Sequence, residues 1–430
     1  MRIGLIGKNS VEYVQNLIDI WNEGNCAVLI DSRLPITEIV EQLVYVSVRK
    51  VVISKNIFDS FASYFKKWEC IIYDESEETL LPDCIQNNFE ESYSKKEGLI
   101  LFSSGTSAKR KAIVLSHKAI NKNADFIIDY MRPTKDDKIA IIKTCCHSST
   151  VVGELLVGLK SKMKIIILKS SYSPRLYINQ LINSKATIIG LNPILFDQFT
   201  ESILLMDIKM EFLKKVYVSG SKIIKPINYY RKIWNNVNIF LCYGLTEAGP
   251  RISSQRVIKN ISNDSVGKAI KNVKIKIVKE NKNEKYGEIV VKTPCIFSKY
   301  IINGIEKKMT KKWLNTGDCG YINEDDELHI IGRKDNMVTI NSINFYPEPM
   351  EEIIISLGFV QDCIVKKMVN NYSEYLLCYY CGEAINASEI NQKLKEYFYV
   401  EQLPREYIKV ADVVYNENGK KERKYNYGHS

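Results

Sequence analysis

The sequence lacks a long apolar run. None of its hydrophobic stretches approaches the roughly 20 residues that a helix needs to cross a bilayer. The N-terminal segment MRIGLIGKNS has a short apolar run that Lys8 interrupts, which is too short for the apolar core of a signal peptide. We therefore expect no membrane span and no secretion signal in this sequence.

The sequence also lacks the cysteine pattern of a disulfide scaffold, and it has no repeats or low-complexity tracts. Its eleven cysteines are scattered at irregular spacing, which favours a reducing, cytoplasmic compartment. The CxxC pair, Cys378 and Cys381, lies in a strand-like run, where residues three apart point to opposite faces of a sheet. A metal site at this pair is therefore disfavoured.

Positively charged residues are only slightly in excess over negatively charged ones. Lys and Arg number 60 against 50 Asp and Glu, a formal net charge of +10, which suits an anionic ligand but does not by itself indicate nucleic acid. A hydrophobic content of 45% with 26% charged residues excludes disordered and collagen-like classes. A chain of 430 residues predicts more than one domain.

Strand-like runs alternate with helical patterns from the N-terminus past residue 240. RIGLIG, CAVLID and KVVIS are strand-like, whereas VEYVQNLIDIWNEG and ITEIVEQLVYVS have helical spacing. The alternation predicts an α/β fold in which parallel sheets are flanked by helices. Closely spaced strand patterns at about 262–334 predict a β-rich subdomain, and residues 335–430 predict a small α+β domain.

A hydroxyl-rich loop with basic side chains follows the strand-like run GLILFSS. The segment SSGTSAKRKA, residues 103–112, could cradle a polyphosphate through backbone N–H groups, hydroxyls and lysine. A solvated basic turn is the alternative, because such loops are also common turns. A Walker loop is disfavoured, since the segment lacks that motif's second glycine.

Further polar segments follow other strand-like runs. In FLCYGLTEAGPR, Tyr243 could stack on a base and Glu247 could hold Mg²⁺, or Glu247 could simply begin a helix. Asp318 is predicted in a tight TGD turn, where it could accept hydrogen bonds from ribose hydroxyls, and Arg333 could reach a hydroxyl or a phosphate. Ordinary turn chemistry is the alternative for Asp318, and a solvated tail is the alternative for Lys420.

These segments occur together in one order, and with them the chain resembles the adenylate-forming superfamily, which includes acyl-CoA synthetases, adenylation domains of non-ribosomal peptide synthetases, and luciferases. The resemblance runs from KNSVEYV to the terminal NGK. Relatives usually carry additional residues before the first segment, so the chain resembles a form trimmed at the N-terminus. The resemblance implies a large domain over 1–334, a small mobile domain over 335–430, and a hinge at Asp335.

The resemblance also implies nucleotide-binding roles. The loop that matches TSGTTGxPKG would hold the ATP phosphates through Ser103, Ser104, Gly105, Thr106, Ser107 and Lys111. The adenine site would be lined by Gly220, Ser221, Tyr243 and Gly244. The remaining nucleotide contacts would be Thr246 on the α-phosphate, Glu247 on Mg²⁺, and Asp318 and Arg333 at the ribose.

The implied reaction is activation of a carboxylic acid by ATP and Mg²⁺ to an acyl-adenylate, with release of pyrophosphate. Lys420 would contact the substrate carboxylate and the α-phosphate, and Gly220 and His147 would line the acyl site. Ser148 stands where amino-acid-activating relatives carry Asp, and an unpaired buried ammonium is costly. We therefore expect an aryl or short to medium acyl acid without an α-amino group.

The acceptor of the acyl group is less well defined by the sequence. A thiol is expected, either of coenzyme A or of the phosphopantetheine on a separate acyl carrier protein. Ser342 replaces a family glycine on the loop that approaches that thiol, so transfer to an amine or a hydroxyl is an alternative. The phosphate loop has Ala108, Arg110 and Ala112 where relatives have Gly, Pro and Gly, which allows a catalytically weak nucleotide- or acyl-binding homologue.

Overall fold

The computed structural model divides the chain into two compact units. Unit 1 comprises Met1–Ile275 and Val291–Leu314, and unit 2 comprises Lys276–Val290 and Asn315–Ser430. The structure describes residues 1–85, 91–103, 111–169, 173–223, 225–257, 264–280, 284–340, 343–369, 374–415, 421–423 and 425–427. The domain boundary and hinge expected at residues 334 and 335 stay predictions.

Strands alternate with helices through most of the chain. The strands are β1 (Arg2–Gly7), β2 (Cys26–Asp31), β3 (Lys50–Ser54), β4 (Glu69–Tyr73), β5 (Glu97–Phe102), β6 (Ala112–Ser116), β7 (Lys138–Ile141), β8 (Lys164–Ile167), β9 (Ile188–Leu191), β10 (Lys215–Ser219), β11 (Asn238–Gly244), β12 (Arg251–Arg256), β13 (Lys268–Ala269), β14 (Lys274–Val278), β15 (Gly287–Lys292), β16 (Lys299–Ile302), β17 (Ile305–Lys308), β18 (Leu314–Ile322), β19 (Leu328–Arg333), β20 (Val338–Ile340), β21 (Ile343–Phe345), β22 (Val360–Val369), β23 (Glu374–Gly382) and β24 (Pro404–Lys409).

The helices are α1 (Val11–Asn22), α2 (Ile36–Tyr45), α3 (Lys55–Phe61), α4 (His117–Met131), α5 (Ser148–Thr150), α6 (Val157–Lys160), α7 (Pro174–Ser184), α8 (Pro193–Leu205), α9 (Ile227–Ile233), α10 (Pro347–Ser356) and α11 (Ala387–Leu394). A π-helical turn, Val151–Leu156, joins α5 to α6. Among the described residues, no helix is long and apolar enough to cross a membrane.

Two large sheets dominate unit 1. The first has the order β17-β16-β6-β5-β2-β1-β3-β4, and the second has the order β13-β12-β11-β10-β9-β7-β8. The neighbours from β5 to β4 and from β11 to β8 are parallel, whereas the strands at the other edge of each sheet are antiparallel. The predicted α/β fold with parallel sheets and flanking helices is confirmed.

Local sequence explains how helix α1 packs on the first sheet. Ser10 caps its N-terminus by accepting a hydrogen bond from the backbone N–H of Tyr13 at 3.0 Å. Buried residues recur at helical spacing through Val14, Leu17 and Trp21, and they form one apolar face. The Trp21 indole then donates to the backbone oxygen of Gly98 in β5, at 2.8 Å. Helix α1 therefore packs against the sheet through this face.

Helices cover the second sheet, and its parallel strands end along one edge. Helices α7, α8 and α9 cover it with a buried cluster that includes Phe196 and Tyr230, whose rings stack at 4.4 Å. Strands β7, β9, β10 and β11 run parallel, so their carboxyl ends lie along one edge. Ligands of open α/β sheets usually bind at this edge.

Smaller sheets form the rest of the chain, in the orders β14-β15-β18-β19, β20-β21 and β22-β23-β24. In unit 2, β22 and β23 pack on α10 and α11 around a core that includes Met350, Cys363 and Leu394. Cys378 belongs to this core, whereas Cys381 belongs to a separate buried cluster. The two cysteines of the CxxC pair therefore lie on opposite faces of β23, as the alternation of a strand predicts.

Candidate active site

Two predicted site residues meet at the carboxyl edge of the second sheet. Ser148 begins α5, and its hydroxyl lies 2.9 Å from the hydroxyl of Thr246, which follows β11. Ser148 is buried, and Thr246 begins a short 3₁₀ turn, Thr246–Ala248. The structure thus brings together a residue expected at the acyl site and one expected at the α-phosphate.

The end of β11 requires glycine at position 244. A Cβ atom built on Gly244 would lie 2.0 Å from the backbone oxygen of Pro250, so no side chain fits there. Tyr243, just before it, is buried, and Gly244 itself is exposed. Gly220 and Ser221 follow the neighbouring strand β10 and are exposed. All four therefore lie near the ends of two adjacent parallel strands.

Glu247 is positioned by a tyrosine from a distant part of unit 1. Its Oε1 accepts a hydrogen bond from the Tyr300 hydroxyl at 3.1 Å, and the Lys111 ammonium lies 5.6 Å from the centre of the Tyr300 ring. Glu247 and Lys111 were predicted from separate segments, and Tyr300 contacts both. Sequence reasoning missed Tyr300, because no pattern around it marks a site.

The described ends of the proposed phosphate loop are held close together. Ser103 donates its backbone N–H to the oxygen of Lys111 at 2.9 Å, and its hydroxyl accepts from the backbone N–H of Lys111. This closes the connection between the antiparallel strands β5 and β6. Some predicted site residues lie outside the described residues, namely Ser104, Gly105, Thr106, Ser107, Ser342 and Lys420.

His147 immediately precedes α5 and is partly buried. Burial, together with the nearby Lys143 ammonium, lowers the pKa of His147 to about 4. The imidazole is therefore neutral at pH 7, and it can donate from one ring nitrogen and accept at the other.

In unit 2, Asp318 and Arg333 form an ion pair across β18 and β19. Arg333 Nη1 lies 2.9 Å from Asp318 Oδ1, and it also donates to the backbone oxygen of Thr316. The prediction that Asp318 lies in a tight turn was wrong, because the TGD segment is inside β18. Gly317 has a φ of +71°, so the turn-like TGD sequence reflects a left-handed residue within a paired strand. Asp335, expected at the hinge, is exposed and lies 3.8 Å from Arg333.

The residues around Glu247 fit a magnesium ion. Mg²⁺ usually binds one or two carboxylates together with substrate phosphates, rather than a cage of protein ligands. Glu247 is partly exposed and directly follows the Thr246 hydroxyl. In the described part of the chain, no group of three His, Cys, Asp or Glu residues could hold a metal.

A buried group of charged side chains was not found from the sequence. Lys143 follows β7, Glu154 lies in the π-helical turn, and Arg251 begins β12. We call these three residues the buried charge cluster. A signal was available, because Glu154 interrupts the apolar run VVGELLVGL, but residues that are distant in sequence could not be connected without the fold.

Comparisons with known proteins give consistent matches. A family model described as AMP-binding enzyme matches residues 1–301. A 2-succinylbenzoate–CoA ligase of Oceanobacillus iheyensis is 24% identical over 97% of this chain and 87% of its own length. A 4-coumarate–CoA ligase of Oryza sativa subsp. japonica is 24% identical over 71% of this chain and 62% of its own length.

Solved structures share the fold. An anthranilate CoA ligase in complex with anthranoyl-AMP superposes with a TM-score of 0.82 at 19% identity, over 98% of this chain and 86% of that one. The O-succinylbenzoate coenzyme A synthetase of Bacillus subtilis, in complex with ATP and magnesium, gives a TM-score of 0.80 at 19% identity, over 98% and 88%. These similarities support the fold class that the sequence predicted.

Proposed function

Because the chain belongs to the family of AMP-binding enzymes, we propose that it activates a carboxylic acid with ATP and transfers the acyl group to the thiol of coenzyme A. The predicted AMP-forming acid ligase is confirmed by this family and by relatives that are named CoA ligases. The class of acid, the acceptor and the residue roles are our proposals.

The contact between Ser148 and Thr246 is the main structural support for the proposal. The hydroxyls of Ser148 and Thr246 are 2.9 Å apart, although the two residues come from segments assigned to different substrates. An acid-binding residue and an α-phosphate-binding residue must lie near each other, because the reaction joins the carboxylate to that phosphorus. The contact supports a shared reaction centre in unit 1.

In the first step, a carboxylate oxygen of the acid attacks the α-phosphorus of ATP. The bond from this phosphorus to the bridging oxygen breaks, and pyrophosphate leaves with the bonding pair. No general base is required, because the carboxylate is already ionised near neutral pH. Two anions must approach each other, so we assign Lys111 and Lys420 to offset their repulsion and Thr246 to bind the α-phosphate.

The other proposed roles follow the predicted assignments. Tyr243, Gly244, Gly220 and Ser221 would line the adenine site, and His147 and Gly220 the acyl site. In unit 2, Asp318 and Arg333 would bind the ribose hydroxyls, and Asp335 would act as a hinge. Glu247 would hold Mg²⁺, which when bound would neutralise phosphate charge.

In the second step, a thiol sulfur attacks the acyl carbon of the adenylate. The bond from that carbon to the phosphate oxygen breaks, AMP leaves, and the thiol proton passes to solvent. Relatives named as CoA ligases support coenzyme A as the acceptor. The phosphopantetheine of a separate carrier protein is the alternative, and we propose a cytoplasmic location, where both thiols occur.

The test is ATP–pyrophosphate exchange in the presence of Mg²⁺ and a panel of aryl, aliphatic and amino acids. We expect exchange that depends on one class of acid without an α-amino group. The variant Glu247→Gln should lower this exchange by about 100-fold, because it removes the proposed metal ligand. Glu211→Gln, at an exposed glutamate of unit 1, is the matched control and should exchange like the wild type.

Two outcomes would change the proposal. Absence of exchange with every acid, in a chain that still binds ATP, would contradict the proposal and favour a nucleotide-binding protein. If the adenylate forms but coenzyme A is not acylated, a phosphopantetheinylated carrier protein should be tested as the acceptor.

A further inference from the structure

Tyr300 contacts two residues with proposed roles at the phosphates of ATP, although the proposed function gives it no role of its own. Its hydroxyl donates to Glu247 Oε1 at 3.1 Å, and the centre of its ring lies 5.6 Å from the Lys111 ammonium. All three residues belong to unit 1. A single side chain therefore lies between the proposed metal ligand and the end of the proposed phosphate loop.

The backbone of Tyr300 is held beside that loop by sheet pairing. Tyr300 lies in β16, which runs antiparallel to β6, with Tyr300 opposite Ile113 and Ile301 opposite Ala112. Ala112 is the first residue of β6 and directly follows Lys111, so the strand begins where the loop ends. The position of Tyr300 next to Lys111 is therefore fixed by the first sheet and does not depend on side-chain contacts alone.

The segment just before β16 is also joined to Glu247. The backbone N–H of Phe297 donates to the backbone oxygen of Glu247 at 2.9 Å. The Phe297 side chain is buried, and its ring centre lies 4.2 Å from that of Tyr300. Packing against Phe297 and the hydrogen bond at the hydroxyl thus order the Tyr300 side chain. A side chain that is already ordered loses little further conformational entropy when a ligand binds.

The hydrogen bond from Tyr300 orients the Glu247 carboxylate. A phenol is protonated at neutral pH and an ionised carboxylate can only accept, so Tyr300 is the donor. A carboxylate has about four lone-pair sites, and one that accepts a hydrogen bond at Oε1 can still bind a cation. Hydrogen bonds of this kind orient metal-binding carboxylates, and losing such a partner typically lowers metal affinity by about 10–100-fold.

The ring of Tyr300 restrains the Lys111 side chain. Lys111 is exposed, and a long, flexible lysine side chain loses rotamer freedom when it binds a phosphate. Its ammonium lies over the ring and within the distance of about 6 Å at which an aromatic face attracts a cation. Unlike a carboxylate, the ring leaves the charge of the ammonium in place. Lys111 can therefore be held near the ring and still attract phosphate.

We propose that Tyr300 is a positioning residue for the ATP phosphates, because its hydroxyl orients Glu247 for Mg²⁺ and its ring restrains Lys111. This inference rests on the proposed function, which assigns Glu247 and Lys111 to the nucleotide, and it deepens that function by coupling the two contacts through one side chain. The hydroxyl and the ring act on different residues, so substitution separates them. Tyr300→Phe removes the hydroxyl, and Tyr300→Leu removes the ring as well.

The experiment measures equilibrium binding of a fluorescent ATP analogue in Mg²⁺ and in EDTA, with no acid present. We expect the wild type to bind more tightly in Mg²⁺. Tyr300→Phe should weaken binding in Mg²⁺ by about tenfold, because Glu247 loses the donor that orients it, and should leave binding in EDTA unchanged. Tyr300→Leu should weaken binding in EDTA as well, by about threefold, because Lys111 loses the ring.

A double-mutant cycle tests whether the hydroxyl acts through Glu247. Glu247→Ala should weaken binding in Mg²⁺, and adding Tyr300→Phe should cause no further loss, because the hydroxyl has already lost its acceptor. Losses that add in full would show that the hydroxyl acts elsewhere and would overturn the inference.

Tyr64→Phe, at an exposed tyrosine of unit 1, is the matched control and should bind like the wild type in both buffers. Binding by Tyr300→Phe that equals the wild type in Mg²⁺, or that falls equally in Mg²⁺ and EDTA, would overturn the inference. A wild type whose binding does not depend on Mg²⁺ would do the same. Absence of ATP–pyrophosphate exchange with every acid would contradict the proposed function, whereas the binding measurement contains no acid and decides the role of Tyr300 separately.

Discussion

The lowered pKa of the His147 imidazole makes the stability of the folded chain depend on pH. The pKa of His147 is lowered to about 4 from its ordinary 6.5 by burial and by Lys143. Between these two values the unfolded chain binds more protons than the folded chain at this residue. The free energy of unfolding therefore decreases as the pH falls from 6.5 to 4, and the full contribution is present above 6.5.

We therefore expect His147→Gln to reduce the dependence of stability on pH. Thermal unfolding followed by circular dichroism between pH 4 and 7 should show that acidification lowers the Tm of the wild type more steeply than the Tm of the variant. His117→Gln is a useful comparison, because burial also lowers the pKa of His117. Parallel Tm curves for the wild type and His147→Gln would contradict the assignment of a neutral, partly buried His147.

Among single residues, the sequence predicts those in segments that resemble the family and misses those that depend on packing. Thr246 and Ser148 were predicted because their segments resemble family segments, and their hydroxyls meet in the structure. Arg251 and Glu154 could not be connected, because they are almost a hundred residues apart and become neighbours only through sheet order. Tyr300 was missed for the same reason.

At the scale of elements, the C-terminal segment at residues 421–423 is fixed by buried ion pairs in unit 2. Arg423 binds Glu351 of α10 through two contacts, at 2.7 and 2.9 Å. Lys421 lies 2.7 Å from Asp362 of β22 and 3.4 Å from Glu351. Glu351 is 3% exposed, so it is the central anion of this group. Residues 421 and 423 are therefore anchored to α10 and β22.

Glu351→Gln should destabilise unit 2 strongly. The variant leaves Lys421 and Arg423 with one carboxylate fewer in a buried site, and breaking a buried ion pair typically costs about 3–5 kcal/mol. Urea unfolding should show this loss in the free energy of unfolding. Glu383→Gln, an exposed position in the same unit, is the matched control and should change stability by less than about 0.5 kcal/mol. A loss of similar size in both variants would contradict the central role of Glu351.

Elements with a clear hydrophobic pattern were well predicted from the sequence. RIGLIG, CAVLID and KVVIS became β1, β2 and β3, because their apolar residues are buried on both faces of a sheet. The TGD segment was predicted as a turn and is part of a strand. Its pairing with β19 determines the conformation, and Gly317 accommodates the irregular backbone. Local turn chemistry alone could not reveal this pairing.

At the scale of the whole molecule, the residues with proposed roles in the reaction are distributed over both units. Thr246 and Glu247 belong to unit 1, whereas the chain segment that contains Lys420 belongs to unit 2. The first step of the reaction should therefore require an intact C-terminal segment, even though the family model ends at residue 301.

Lys420→Ala should abolish adenylate formation and leave ATP binding nearly unchanged. We expect acid-dependent ATP–pyrophosphate exchange to fall by at least about 100-fold, because the variant loses charge stabilisation in the transition state. Binding of a fluorescent ATP analogue measures the ground state separately. Lys395→Ala, at an exposed lysine of unit 2, should behave like the wild type. Turnover that survives in Lys420→Ala would exclude the proposed role of this lysine.

Across the whole molecule, the cysteines differ in how accessible their thiols are to solvent. All eleven are free thiols; Cys84 is exposed, Cys70 and Cys146 are partly exposed, and the others are buried. Burial raises the pKa of Cys26, Cys145 and Cys363, which suppresses the reactive thiolate form. A maleimide dye should therefore attach to the native chain fastest at Cys84. The sequence thus offers a preferred attachment point for fluorescence, and the reaction of the eight buried thiols would report on the opening of the core.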